Sequence, residues 1–206
     1  MSNKEANKLI SAGKIKVNQK TVFENCVIKE EDEISINGET IRPAKKFILM
    51  KYYKPVGKVS SLSPKVNDSL YDRFKDYLPL CIAGRLDKNS EGLLLLTNDG
   101  KWAQELTHPH FEKPKTYLVR VDKAITEAFI FHMKDGVEIM GQKTKAALCK
   151  QLQEFEFEIT LTEGKNRQIR RMCRKQGYRV KRLKRLSAGN YKLGTLKPDE
   201  MEMLNF

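Results

Sequence analysis

The segment from Gly84 to Gly100, GRLDKNSEGLLLLTNDG, holds one carboxylate between two cations, directly ahead of an apolar run. Asp87 stands between Arg85 and Lys88, and the run begins at Leu93. Glycines on both sides of the charged stretch let the backbone turn sharply. A carboxylate beside a guanidinium stays ionised at neutral pH, so Asp87 suits the role of a base or a nucleophile. The alternative is an exposed charged turn in which Asp87 caps the following segment.

A second cluster, EGKNRQIRRM from Glu163 to Met172, concentrates arginines in a helix predicted over residues 164–176. Ile169, Met172 and Cys173 recur at helical spacing and can face a core. Backbone N–H groups and the helix dipole favour anions at a helix N-terminus, so this cluster predicts phosphate contact. A solvated basic helix face is the alternative. The guanidiniums on the remaining surface belong to Arg167, Arg170, Arg171 and Arg174.

Two domains are predicted to position these clusters. The first, residues 1–43, is a small αβ module with a helix over residues 4–13 and short alternating strands near residues 14–18, 22–23 and 33–38. The second, residues 44–206, opens with a buried strand over residues 47–53.

The second domain is predicted to be α+β, with a mixed and largely antiparallel sheet. In its cationic strand at residues 179–186, the part from Lys181 to Arg185 is predicted to contact phosphates, a solvated basic strand being the alternative. The predicted strands lie at 93–97, 116–121, 146–152, 155–161 and 179–186, and the predicted helices at 69–78, 101–107, 126–134 and 164–176.

The charge of the chain indicates a polyanionic partner. Its 206 residues include 39 Lys and Arg against 26 Asp and Glu, a formal net charge of +13.

The sequence has no apolar run of ~18 residues and its start lacks the apolar core of a signal peptide, so we expect a cytoplasmic protein. The four cysteines are expected to be reduced thiols. His108 and His110 are interpreted as a turn rather than a metal site.

Four motifs, in order, resemble those of the bacterial RsuA-type pseudouridine synthases, the group that includes RluB, RluE and RluF. They are KPVG at 54–57, the Gly84–Gly100 block, KTYLV at 115–119 and GKNRQIRRM at 164–172. The resemblance covers about residues 47–195, and NRQIRRMC at 166–173 is most similar to the RluF-like branch. Residues 2–42 resemble an S4 RNA-binding module that lacks its usual first helix, which reflects either a natural form or a truncation.

The resemblance implies a uridine-to-pseudouridine isomerase that uses an essential aspartate and neither metal nor cofactor. Asp87 matches that aspartate, and the route, nucleophilic attack or a glycal intermediate, stays open. Tyr117 matches the tyrosine that lies against the uracil, with a ring packed in the core as the alternative. Arg170 matches the arginine that pairs with the aspartate, with a phosphate contact as the alternative. Arg85 matches the residue that fills the space of the flipped nucleotide.

Leu161 is assigned to the apolar floor of the uracil pocket, with plain core packing as the alternative. RNA contacts are assigned to Arg85, Lys88, Arg167, Arg171, Lys14 and Lys16.

The sequence therefore predicts a pseudouridine synthase acting on structured RNA, with 23S ribosomal RNA as the expected substrate and a monomer as the expected state. The same chemistry on 16S ribosomal RNA or tRNA is one alternative. A non-catalytic RNA-binding or ribosome-assembly factor is the other, and the intact set of Arg85, Asp87, Tyr117 and Arg170 favours the enzyme.

Overall fold

The computed structural model describes residues 2–29, 31–44 and 46–204. The chain divides into two compact units, Met1–Phe47 and Ile48–Phe206, each described here by itself. Within the described residues, no helix has the length and apolar character needed to cross a membrane.

In its described residues, the first unit contains one helix and a four-stranded antiparallel sheet in the order β2-β1-β3-β4. The helix begins with a capping box, because the Ser2 hydroxyl accepts from the Glu5 amide while the Glu5 carboxylate accepts from the Ser2 amide. Gly13 follows the helix at a φ of 64°. The elements are α1 (Asn3–Ser11), β1 (Ile15–Val17), β2 (Lys20–Val22), β3 (Ile34–Ile36) and β4 (Glu39–Arg42).

The second unit contains the remaining strands and helices. Its strands are β5 (Leu49–Lys54), β6 (Cys81–Ala83), β7 (Glu91–Thr97), β8 (Lys115–Val121), β9 (Glu138–Ile139), β10 (Gln142–Lys143), β11 (Leu148–Gln153), β12 (Glu156–Leu161), β13 (Val180–Ala188), β14 (Tyr191–Lys192) and β15 (Met201–Met203). Its helices are α2 (Tyr71–Phe74), α3 (Gly100–Thr107), α4 (Glu127–Asp135) and α5 (Gln168–Lys175), with short 3-10 turns at Lys75–Tyr77 and Pro109–Phe111.

The main sheet runs in the order β11-β12-β8-β13-β7-β5-β15, with β14 beside β13 and β6 beside β7. Its pairings are antiparallel except that between β7 and β13, which is parallel. The predicted α+β fold with a mixed, largely antiparallel sheet is confirmed. The parallel pair puts Gly92 of β7 opposite Arg185 of β13.

The four consecutive leucines of β7 are explained by apolar cover on both faces of the sheet. Leu93 and Leu95 pack in one cluster with Tyr53, while Leu94 and Leu96 pack in another with Phe74. Successive side chains of a strand point to opposite faces, so a strand buried on both sides is apolar at every position. A third cluster fills the space between α4, α5 and strands β8 and β12.

Three predictions made from the sequence need correction. The helix predicted over residues 69–78 consists of α2, four residues long, followed by a 3-10 turn. The basic helix begins at Gln168 rather than at residue 164, because residues 163–167 form a loop. The cationic strand is not wholly a surface, since Arg185 is one of its fully buried residues.

Candidate active site

A cavity of about 520 Å³ opens in the second unit, where the loop after β6, strands β8, β12 and β13 and the start of α5 come together. The sequence places its lining residues as far apart as Val59 and Arg185. Of the residues assigned to the site from sequence, the cavity is lined by Arg85, Asp87, Lys88, Tyr117, Leu161 and Arg167.

Asp87 lies half-buried in the wall of this cavity, within reach of two guanidiniums. Its Oδ2 accepts from Arg167 Nη1 at 3.3 Å and lies 3.8 Å from Arg170 Nε. Burial, and then the like charge of Arg167, lowers the pKa of Arg170, while Asp87 acts in the opposite direction. The carboxylate therefore faces the cavity with both of its nearby cations on one oxygen.

Two side chains from the preceding segment hold the loop that carries Asp87. The buried Ser60 hydroxyl donates to the Leu86 carbonyl at 2.8 Å and accepts from the Leu86 amide at 3.1 Å. Lys54 Nζ, also buried, donates to the carbonyls of Pro55 and Lys58 and lies 3.5 Å from that of Lys88. Burial lowers the pKa of Lys54 to about 8, although Asp87 and Glu91 oppose that shift. Both residues adjoining Asp87 are thus fixed through their backbones.

Two arginines hold the same loop from its other side. Arg185 donates from Nη2 to the Gly84 carbonyl and from Nε to the Leu93 carbonyl, each at 2.7 Å, so it joins the two ends of the loop. Arg170 Nη2 donates to the Asn89 carbonyl at 2.6 Å and to the Ser90 hydroxyl at 3.2 Å. A loop held at so many points keeps the carboxylate in one place, as preorganised chemistry requires.

Arg167 is directed at Asp87 by a loop with an internal hydrogen-bond network. Gln168 Nε2 donates to Glu163 at 2.6 Å, and Gln168 Oε1 accepts from the Lys165 amide at 2.9 Å. Arg167 itself adopts a left-handed backbone, with a φ of 50°, at the start of α5. This conformation is rare for a residue with a side chain, and such residues concentrate at functional sites.

Tyr117 and Leu161 are two of the apolar residues in the cavity wall. They lie on neighbouring strands, since β8 pairs with β12 in a register that sets Lys115 opposite Leu161 and Tyr117 opposite Ile159. Leu161 is buried within the cluster under α5, and Tyr117 is partly buried against that cluster and the one around Phe74. Leu161 is thus both a core residue and a lining residue of the cavity.

Cationic side chains outnumber anionic ones in the lining of the cavity. Two of the described lining side chains are anionic, Asp87 and Glu163. Six are cationic: Arg85, Lys88, Lys115, Lys165, Arg167 and Arg185. A concave surface with this excess favours an anionic ligand.

The sequence profile of the RNA pseudouridylate synthase family matches residues 48–175. This range includes Asp87 and Arg167. The chain belongs to that family. It is 40% identical over 194 residues to the dual-specificity RNA pseudouridine synthase RluF of Escherichia coli K12, covering 93% of this chain and 67% of RluF. It is 36% identical to the ribosomal large subunit pseudouridine synthase B of Bacillus subtilis, covering 89% of this chain and 79% of that relative.

A solved structure supports the same conclusion for the fold. The crystal structure of a pseudouridylate synthase matches the chain with a TM-score of 0.72 and 30% identity, covering 100% of this chain and 91% of that one. The resemblance to the RsuA and RluF group is therefore confirmed, and the chain is an isomerase by family.

Four residues assigned from sequence lie outside the cavity lining of this pseudouridylate synthase. Arg170 lies near Asp87 and donates a hydrogen bond to the Asn89 carbonyl of the same loop. Arg171 is exposed on α5 and donates to the carbonyl and the side chain of Asn166. Lys14 and Lys16 are exposed in the first unit.

Sequence reasoning gave Ser60 no role. It used Lys54 and Lys115 only as parts of motifs, and Arg185 only as part of the cationic strand. All four are buried polar residues. Lys54 and Lys115 are the first residues of the KPVG and KTYLV motifs, so their position in a motif could have indicated a role in the site. No sequence pattern around Ser60 distinguishes it from other serines.

Proposed function

We propose that the chain isomerises a specific uridine of structured RNA to pseudouridine, with Asp87 as the essential carboxylate. The observation that carries the proposal is the placement of Asp87 in a cation-lined cavity, held by Arg167 and by four side chains that fix its loop. Large-subunit ribosomal RNA is the substrate we favour, because the B. subtilis relative is named for that subunit.

The reaction breaks the bond between the ribose and N1 of uracil and joins the ribose to C5 of the same base. C5 loses a proton and N1 gains one, so the composition does not change. Cleavage develops positive charge on the ribose, which an ionised carboxylate stabilises or traps. Asp87 presents its carboxylate from a partly exposed position on the cavity wall, at the edge that a ribose would occupy.

Arg170 has a feature that suits a carboxylate whose contacts change during the reaction. Its Nε is buried and makes no hydrogen bond to any described residue, yet it lies 3.8 Å from Asp87 Oδ2. A movement of less than about 1 Å would bring the pair to hydrogen-bonding distance. We assign Arg170 the role of holding Asp87 once the substrate displaces Arg167 Nη1.

Tyr117 is assigned to the face of the uracil. Its ring is partly buried between two core clusters and borders the cavity, so one side of it is available for stacking. Leu161 closes the floor beside it. Tyr117 is also our candidate for the proton acceptor at C5, because its phenol borders the cavity.

RNA contact is assigned to the exposed cations around the cavity mouth, Arg85, Lys88, Arg167 and Arg171. Arg85 is exposed beside Asp87 and would occupy the space that the flipped uridine leaves in its stack. Residues 1–43 are proposed to be an S4-like module that adds affinity through Lys14 and Lys16, two exposed lysines around the buried Ile15 of β1.

The test is to map pseudouridine by carbodiimide-dependent reverse-transcription stops on ribosomal RNA and tRNA from cells that lack the gene. Re-expression of the wild type should restore one missing stop, and Asp87→Asn should not restore it. An unchanged set of stops in the deletion strain would contradict the proposal. A missing stop that Asp87→Asn restores would contradict the role of Asp87.

A further inference from the structure

Two buried cations, Arg185 and Lys115, line the cavity without an assigned contact to the substrate. Arg185 is 2% exposed and Lys115 is 8% exposed, and both line the cavity. They lie on neighbouring strands, because β13 and β8 pair with Arg185 opposite Tyr117 and Ala188 opposite Lys115.

Arg185 uses two of its three nitrogens for the protein. Nε and Nη2 donate to the carbonyls of Leu93 and Gly84, whereas Nη1 makes no hydrogen bond within the described part of the chain. Gly84 lies next to this nitrogen, since a Cβ added there would be 3.6 Å from Nη1. The guanidinium therefore keeps an unused donor beside the residue that begins the Asp87 loop.

Lys115 is held in a similar way. Its Nζ donates to the Lys113 carbonyl at 3.0 Å and forms no ion pair with any described carboxylate. Burial, and then the charge of Arg185, lowers the pKa of Lys115. The proximity of the two cations is thus unfavourable in the protein alone.

The carboxylates of the cavity do not neutralise this pair. Asp87 is engaged by Arg167 and Arg170. Glu163 accepts from Gln168 and from the Lys145 amide. A buried charge without a counter-charge is costly, so two such cations at a cavity favour the binding of an anion there.

We propose that Lys115 and Arg185 form a subsite for a phosphate of the RNA backbone adjoining the target uridine. This inference rests on the proposed function, which places that nucleotide in the cavity. The volume of about 520 Å³ is in the range of small-ligand sites, about 300–1,000 Å³, and suits one flipped nucleotide with its phosphate. The planar guanidinium and the flexible ammonium together offer donors from two directions to a tetrahedral anion. The subsite would fix the phosphate while Asp87 faces the ribose.

The test removes one charge from the protein and one charge from the RNA, separately and together. The probe is a short RNA with one central uridine, in which a neutral methylphosphonate replaces one backbone phosphate at a time. Binding is measured by fluorescence anisotropy for the wild type, for Lys115→Met and for the control Lys184→Met. Lys184 is on β13 next to Arg185, but its Nζ lies over the Tyr53 ring and it is not part of the cavity lining.

We expect one linkage adjoining the uridine at which the methylphosphonate weakens wild-type binding about tenfold, as for a charge-assisted hydrogen bond. The same replacement should change the affinity of Lys115→Met less than about twofold, because the partner is already gone. Lys184→Met should respond like the wild type. Equal sensitivity of Lys115→Met and the wild type at every linkage would overturn the assignment.

Two further outcomes also test the proposal. If Lys115→Met does not fold, the wild-type scan alone decides, since equal effects at all linkages contradict a dedicated subsite. If inorganic phosphate competes with the RNA but no linkage is sensitive, the subsite takes free phosphate and the RNA assignment fails. Isomerisation of a target RNA is assayed separately: a sensitive linkage without isomerisation would contradict the proposed function and leave the phosphate subsite standing.

Discussion

The hydroxyl of Ser60 bonds both polar backbone groups of Leu86, donating to its carbonyl at 2.8 Å and accepting from its amide at 3.1 Å. Leu86 directly precedes Asp87, and Ser60 is 8% exposed. One side chain thus fixes the peptide from which the carboxylate projects, across a sequence distance of 26 residues.

Ser60→Ala should lower kcat about tenfold or more with little change in RNA affinity, because it frees the Asp87 loop without touching the basic surface. It should also lower the free energy of unfolding by about 1–3 kcal/mol, since two buried backbone groups lose their partner. Turnover assays and chemical denaturation measure the two effects. Ser63→Ala, in the same segment but outside the cavity lining, is the control and should behave like the wild type. Normal kcat in a destabilised Ser60→Ala would mean that the hydroxyl serves stability alone.

Gly92→Ala should destabilise the second unit by more than about 1 kcal/mol. Gly92 has a φ of 103°, and an added Cβ would lie 2.3 Å from the Arg185 carbonyl across the parallel pair of β7 and β13. Thermal or denaturant unfolding measures the change. The control is Gly100→Ala at the start of α3, where an added Cβ meets nothing within 4 Å. Equal stability of the two variants would contradict the close approach of the strands.

Lys54 should make the protein more stable as the pH rises from about 8 towards 10.5, the interval between its pKa in the folded chain and its ordinary pKa. Burial lowers its pKa from 10.5 to about 8 in the folded chain. Above that value the unfolded chain still binds the proton and the folded chain does not, so the free energy of unfolding increases with pH. Below it both states are charged, and the cost of burying the charge is fully present.

Denaturant unfolding at several pH values measures this contribution as the difference in slope between the wild type and Lys54→Met. The slope should be more positive in the wild type. Lys58→Met removes an exposed lysine from the same loop and should keep the wild-type slope. A Lys54→Met slope identical to that of the wild type would show that the lysine does not titrate in this range.

RNA affinity should fall steeply with salt concentration, with a log–log slope of several units, because binding neutralises several phosphates. Arg171→Gln should lower the magnitude of that slope by about one if Arg171 contacts a phosphate. Anisotropy titrations at a series of salt concentrations give both slopes, and Lys150→Gln on the far strand β11 is the matched control. A flat wild-type response would mean that the net charge of +13 serves something other than RNA contact.

The parts of the site that sequence could predict are those whose chemistry is visible in a short stretch. Asp87, Arg167 and Tyr117 each sit in a dense motif, and the cavity brings all three together. The leucines of β7 also indicated a buried strand, because few other environments accept four in a row.

The residues that sequence could not assign depend on long-range geometry. Arg185 is one cation among several on its strand, and only the pairing of β13 with β7 and β8 buries it and directs it to Gly84. Ser60 is one of many serines, distinguished only by its contact with Leu86. The prediction of a helix over residues 69–78 was wrong for a related reason. Leu70 and Phe74 do face a core, but a core contact does not require a continuous helix.

The most direct test of the account is turnover and RNA affinity measured together for Asp87→Asn. The substitution keeps the size of the side chain and removes the charge that faces the ribose, so we expect no detectable pseudouridine while affinity falls less than about tenfold, or ~1.4 kcal/mol. Asp68→Asn is the control, since Asp68 is an exposed carboxylate paired with Lys88 at 2.8 Å and does not line the cavity. It should retain turnover. Pseudouridine formation by Asp87→Asn, or a loss of affinity as large as the loss of turnover, would contradict the assignment of Asp87 to the chemical step.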